Sequence, residues 1–176
     1  MPNPIPNPPD IRLATPDDAV LMAAYMHRLR AEVRDGGLDT VPWRPPPTDE
    51  QEHDYLRKTL DNPRACLFIA LDGGEVVGRI NIAGGELPFD RHAGTLGLSV
   101  APHWRGRGLG RMLMQAAIAE AENWPGFCRI ELCCATWNTR GLALYESMGF
   151  VTEGIKRKAV NMRGVPEDEV LMALVW

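Results

Sequence analysis

Apolar positions recur along this chain at two spacings, and the switches between them outline its elements. Alternating or continuous apolar runs predict strands over 11–14, 65–71, 75–83, 93–100, 128–135, 151–160 and from about 169 to 176. Between them, apolar residues three and four apart predict helices. The first follows Thr15, with Pro16 at its opening position and Asp17 and Asp18 in its first turn. Its stripe is Val20, Met22, Ala23, Met26, Leu29 and Val33, and Gly36-Gly37 ends it. A second helix over 49–62 opens on a capping box of Thr48 and Gln51. The third, over 108–123, aligns Leu109, Met112, Leu113, Ala116 and Ala117, and the fourth begins at Asn138. Asp72-Gly73-Gly74 reads as a hairpin, and Arg163 to Pro166 as the turn into the last strand. This order predicts a mixed α/β sheet with helices on its faces.

Length and composition narrow the class. The 176 residues suit one domain, over 10–176, behind a proline-rich tail at 1–9 that reads as disordered. A net charge of −4 gives no reason to expect nucleic acid or a membrane as partner. No apolar run approaches a membrane span and the start lacks a secretory leader, so the expected location is cytoplasmic. Cys66, Cys128, Cys133 and Cys134 form no Cys-x-x-Cys pair and have no His at zinc spacing, so no metal is expected. They read as reduced, structural thiols.

The chemistry concentrates in the stretch from Val100 to Arg111. A strand ends at Pro102, three glycines follow at alternate positions, and a helix begins. Glycine lets the backbone approach a ligand closely, and the free N–H groups of a helix start favour an anion. The P-loop pattern is absent, and a dinucleotide fingerprint counted from Gly106 would need glycine at Arg111. What the stretch does contain is Arg-x-x-Gly-x-Gly, from Arg105 to Gly110. Downstream, Asn138-Thr-Arg-Gly-Leu-Ala-Leu-Tyr145-Glu-Ser-Met-Gly149-Phe150 offers a helix cap, a tyrosine, a helix stop and a strand entry.

These two motifs, in this order, resemble the GCN5-related N-acetyltransferase (GNAT) family across roughly residues 10 to 176. The resemblance implies a mostly antiparallel central sheet of about seven strands flanked by about four helices. It also implies acetyl-CoA as acyl donor, a primary amine of a small molecule or peptide as acceptor, direct attack in a ternary complex, and a homodimer through sheet edges. By the same resemblance the backbone edge at Leu98, Ser99 and Val100 receives the pantetheine, as an added strand would. Arg105, Gly106, Arg107, Gly108, Leu109, Gly110 and Arg111 surround the pyrophosphate, Asn138 reaches the cofactor arm, and Tyr145 protonates the leaving sulfur.

One position departs from the family pattern. Many relatives carry Gly-Glu-Leu-Gly before the phosphate turn, where this chain has Gly94-Thr95-Leu96-Gly97. Threonine cannot serve as the base. His92 is the nearest titratable group, His103 sits at the turn, and Glu86, Asp90, Glu131 or a water are the other candidates. Trp43 and Arg44 could form a lid over the acceptor, or simply cover the core edge. The missing glutamate also leaves open a non-catalytic acyl-CoA-binding or sensing module on the same fold.

Overall fold

The structure, a computed structural model, describes residues 8–34, 47–162 and 164–176. Strands β1 (Asp10–Leu13), β2 (Ala65–Asp72), β3 (Glu75–Gly84), β4 (Ala93–Val100), β5 (Arg129–Ala135), β6 (Val151–Met162) and β7 (Val165–Val175) form one seven-stranded sheet, ordered β1-β2-β3-β4-β5-β7-β6. Helices α1 (Ala19–Arg34), α2 (Asp49–Asp61), α3 (Leu109–Ala121) and α4 (Thr139–Ser147) interrupt the strands in the predicted order. Every neighbouring pair is antiparallel except β4 and β5, which α3 connects by a crossover. The expected fold class is the observed one.

Alternation along β3 separates the two layers. A Cβ on Gly78 would meet Leu113 and Leu109, so α3 covers that face. Arg79, one residue on, points the other way and meets Tyr55 and Glu52 of α2. Leu109, Leu113, Met114, Ala117 and Ile118 of α3 are buried on the first face, and Met22, Tyr25 and Leu29 of α1 in the layer opposite. Burial of these side chains drives the assembly, at roughly 1.5–3 kcal/mol for each large aliphatic residue.

Three local details differ from the sequence reading. Val20 is 60 % exposed. It precedes Met22 by two residues, about 200° around a helix, and so lies opposite the buried stripe. Residues Pro16–Asp18 form a 3-10 turn rather than α-helix, in which Asp18 accepts from the backbone N–H and hydroxyl of Thr15 and takes both Nη groups of Arg12. The β6–β7 hairpin is longer than predicted and includes Pro166. That proline is tolerated because β5 pairs with β7 only from Glu169 onward, so no ladder on that side needs its missing N–H.

Candidate active site

β4 and β5 begin side by side and then part. Their partners run only from Ala93 with Arg129 to Thr95 with Glu131. Beyond that, 96–100 of β4 pair with β3 alone, while 132–135 of β5 pair with β7. The separation leaves one edge of β4 without a strand partner among the described residues. A cavity of about 530 Å³ lies there, lined by Leu98, Ser99 and Val100, by the turn after β4, and by α4.

The turn is shaped by its glycines. Gly106 and Gly108 have φ of +74° and +89°, a region that side-chain-bearing residues enter at a cost of about 1–2 kcal/mol. Gly108 is the N-cap of α3 and contributes no side chain to the cap. The first helical bond is Met112 N–H to the Gly108 carbonyl at 3.1 Å. The amides of Leu109, Gly110 and Arg111 therefore have no partner within the helix, and Gly110 and Arg111 line the cavity. Gly110 meets a different demand, since a Cβ there would come within 3.0 Å of Leu144 on α4. Arg105 braces the turn by donating from Nε to the Val100 carbonyl at 2.9 Å.

Helix α4 closes the opposite wall. Asn138 caps it, its side-chain oxygen accepting from the Gly141 N–H at 3.0 Å. A Cβ on Gly141 would strike that amide at 2.6 Å, so the cap depends on glycine three residues on. Arg111 donates to Ser147 Oγ at 2.6 Å and to Met148 Sδ at 3.3 Å, tying α3 to α4 across the cavity rim. Arg140 also lines the cavity, with its guanidinium beside Gly106.

Tyr145 projects from α4 into this space and is 9 % exposed, its ring 6.0 Å from that of Phe150. Burial, with a smaller contribution from Cys134, pushes its phenol well above the usual range, so it keeps its proton. Burial likewise raises the Cys66 thiol to about 12 and the Cys134 thiol to about 11, which makes both poor nucleophiles. Among the described residues no His, Cys, Asp and Glu cluster could hold a metal.

Comparison with known proteins places this geometry. The model of the acetyltransferase (GNAT) family matches residues 26–150. The L-amino acid N-acetyltransferase AaaT of Escherichia coli K12 is 30 % identical over 131 residues, covering 74 % of this chain and 79 % of that protein. The chain belongs to the acetyltransferase (GNAT) family. A crystal structure of a GNAT acetyltransferase from Streptococcus pneumoniae superposes with a TM-score of 0.84 at 25 % identity, over 95 % of this chain and 99 % of that one. The structure of yncA from Salmonella typhimurium, which contains its cofactor acetyl-CoA, shares the fold with a TM-score of 0.82 at 19 % identity, over 96 % and 94 % of the two chains.

Within this GNAT chain, most residues singled out from the sequence meet at one place. Leu98, Ser99, Val100, Arg105, Gly106, Gly108, Gly110, Arg111, Asn138 and Tyr145 all line the cavity. Arg107 and Leu109 do not. Arg107 lies over the Trp104 ring at 5.6 Å, and the Leu109 side chain turns into the core. His92 is exposed at the far end of β4, seven residues before Ser99 and so about 23 Å along the strand. Among the other base candidates, His103 and Glu86 are exposed, Asp90 Oδ1 accepts from the Leu87 N–H at 2.9 Å, and Glu131 pairs with Arg129 at 3.0 Å. Trp43 and Arg44 lie outside the described residues. Arg140 was missed by the sequence reading, although it stands two positions after Asn138 inside the second motif.

Proposed function

We propose that this chain transfers the acetyl group of acetyl-CoA to a primary amine of a small molecule or peptide, by direct attack in a ternary complex. The observation that carries the reading is the coincidence of three features at one cavity: an unpaired strand edge, a helix start with free amides, and a protonated tyrosine. The amides of 109–111 suit the pyrophosphate, with the helix dipole and the cationic side chains of Arg105, Arg111 and Arg140 adding favourable potential. The open edge at 98–100 suits the pantetheine amides, which would add to the sheet as a further strand. A backbone N–H on that edge would polarise the thioester carbonyl and stabilise the oxyanion.

Tyr145 then serves as the acid. A phenol that stays protonated at neutral pH can deliver its proton to the sulfur as the C–S bond breaks. The acceptor enters from the α1–α2 side of β4. The test is an amine panel with acetyl-CoA and a free-thiol readout, with L-amino acids included because of the activity named for the Escherichia coli relative. Coenzyme A release that depends on one class of amine supports the transferase. Tight coenzyme A binding with no turnover across the panel points instead to the acyl-CoA-binding module.

A further inference from the structure

The sheet face beneath α1 and α2 carries a polar cluster adjoining the cofactor cavity. Arg79 of β3 stands directly opposite Ser99 of β4, so their side chains share this face with Cβ atoms about 5 Å apart. Ser99 lines the cavity, and its Oγ accepts at 3.0 Å from the hydroxyl of Tyr25, which α1 buries almost completely. The Arg79 guanidinium lies over the Tyr55 ring at 5.6 Å and comes within 3.5 Å of the Glu52 carboxylate. Glu52 is 4 % exposed, and its Oε1, the atom that faces Arg79, accepts no hydrogen bond.

That missing hydrogen bond needs an explanation. A buried acceptor left without a donor costs about 1–3 kcal/mol, and more when charged. An ion pair kept at this depth for stability is expected to close its hydrogen bonds, because attraction alone rarely repays desolvation. Here Oε1 faces Arg79 Nη1 at 3.5 Å without a hydrogen bond, which leaves its accepting capacity for the N–H of a bound acceptor. The reaction still lacks a proton acceptor. Thr95 cannot act as one, Asp90 and Glu131 are engaged elsewhere, His92 lies at the wrong end of β4, and His103 and Glu86 are exposed to solvent.

We propose that Glu52 binds the acceptor's amino group and takes its proton. The proposal rests on the transferase reading above. The bound ammonium gives one proton to the Glu52 carboxylate, and the freed nitrogen lone pair bonds to the thioester carbonyl carbon. As the tetrahedral adduct collapses, the C–S bond breaks and the sulfur takes the Tyr145 proton. The second proton lost by nitrogen restores Tyr145, and Glu52 returns its own to solvent. The groups facing Glu52 suit this cycle. Desolvation raises its carboxyl above the usual range, against the opposing pull of Arg79 on β3 and Arg30 on α1, which brings it nearer an amine in basicity.

The test uses the full chain, acetyl-CoA and the best amine from the panel. For Glu52→Gln we expect kcat/KM to fall by about 100-fold or more at pH 7. The deficit should then shrink by about tenfold per pH unit toward the amine's pKa, as more free amine is supplied. Glu52→Asp should recover part of the loss, and both variants should bind coenzyme A within about twofold of wild type by calorimetry. A folded Gln variant within threefold of wild-type turnover overturns the proposal, as does a deficit equal at pH 7 and pH 9. If the Gln variant melts below the assay temperature, the Asp variant decides by the same pH comparison. A wild-type chain that binds coenzyme A but acetylates nothing overturns the transferase reading, and this inference with it. An active wild type beside an equally active variant overturns Glu52 alone.

Discussion

Replacing Gly108 by alanine separates the strain of the phosphate turn from its ligand chemistry. Gly108 has φ +89°, and nothing lies within 4 Å of the Cβ an alanine would bring. Its cost is therefore backbone strain alone, about 1–2 kcal/mol. That should lower the melting temperature by about 2–4 °C per kcal/mol for a chain this size. Gly126 is a matched control. It has φ +70° and equally open surroundings, but lies beyond the other end of α3. Gly126→Ala should cost similar stability and leave the cavity untouched.

At Gly108 the same strain is relieved by rotating the peptide that leads into α3, which withdraws an amide from the cavity. Losing one hydrogen bond to a charged oxygen costs about 1.5–3 kcal/mol. Coenzyme A affinity should thus fall by about 10- to 150-fold in Gly108→Ala and by less than twofold in Gly126→Ala. Isothermal titration with coenzyme A, beside thermal melts of both variants, reads the two effects separately. Equal losses of affinity in both variants, or an unchanged Kd in Gly108→Ala, would refute the reasoning.

Two further outcomes test other parts of the account. Tyr145→Phe should lower kcat by about 100-fold with coenzyme A affinity within twofold, and because burial keeps the phenol protonated, the effect should be level from pH 6 to pH 9. An unchanged kcat would remove Tyr145 from the mechanism. The Arg12 guanidinium holds Asp18 at about 2, below its ordinary 3.8, so the ionised form favours the fold. That stabilisation is complete above the unfolded pKa and disappears as pH falls through the folded one, between about pH 4 and 2. It amounts to about 1–2 kcal/mol once the half-exposed arginine is allowed for. Urea midpoints of wild type and Asp18→Asn should differ at pH 6 and converge near pH 2, and parallel curves would contradict this.

What could be read directly from the sequence was local. The turn at 105–110 needs glycine for backbone reasons that a few neighbours decide, and the caps at Thr48 and Asn138 pair with residues three positions away. The strand and helix order followed from periodicity for the same reason. Residues brought together only by folding were not legible. Arg140 reaches Gly106 because α4 docks against the turn, a meeting of segments over thirty residues apart. Glu52 and Tyr25 join Arg79 and Ser99 through helix–sheet packing that no spacing encodes. His92 was close to the site in number but not in space, because an extended strand carries seven residues about 23 Å. Helix phase made the remaining difference, turning Leu109 into the core while Arg111 stayed at the rim.

The account stands on diphosphate binding by the amides that begin α3, and a crystal structure with coenzyme A tests it most directly. The predicted result places the pyrophosphate within hydrogen-bond distance of the N–H groups at 109–111, with the pantetheine laid along 98–100 of β4. Cofactor density anywhere else on the protein, or a pantetheine that makes no bond to that edge, would contradict it.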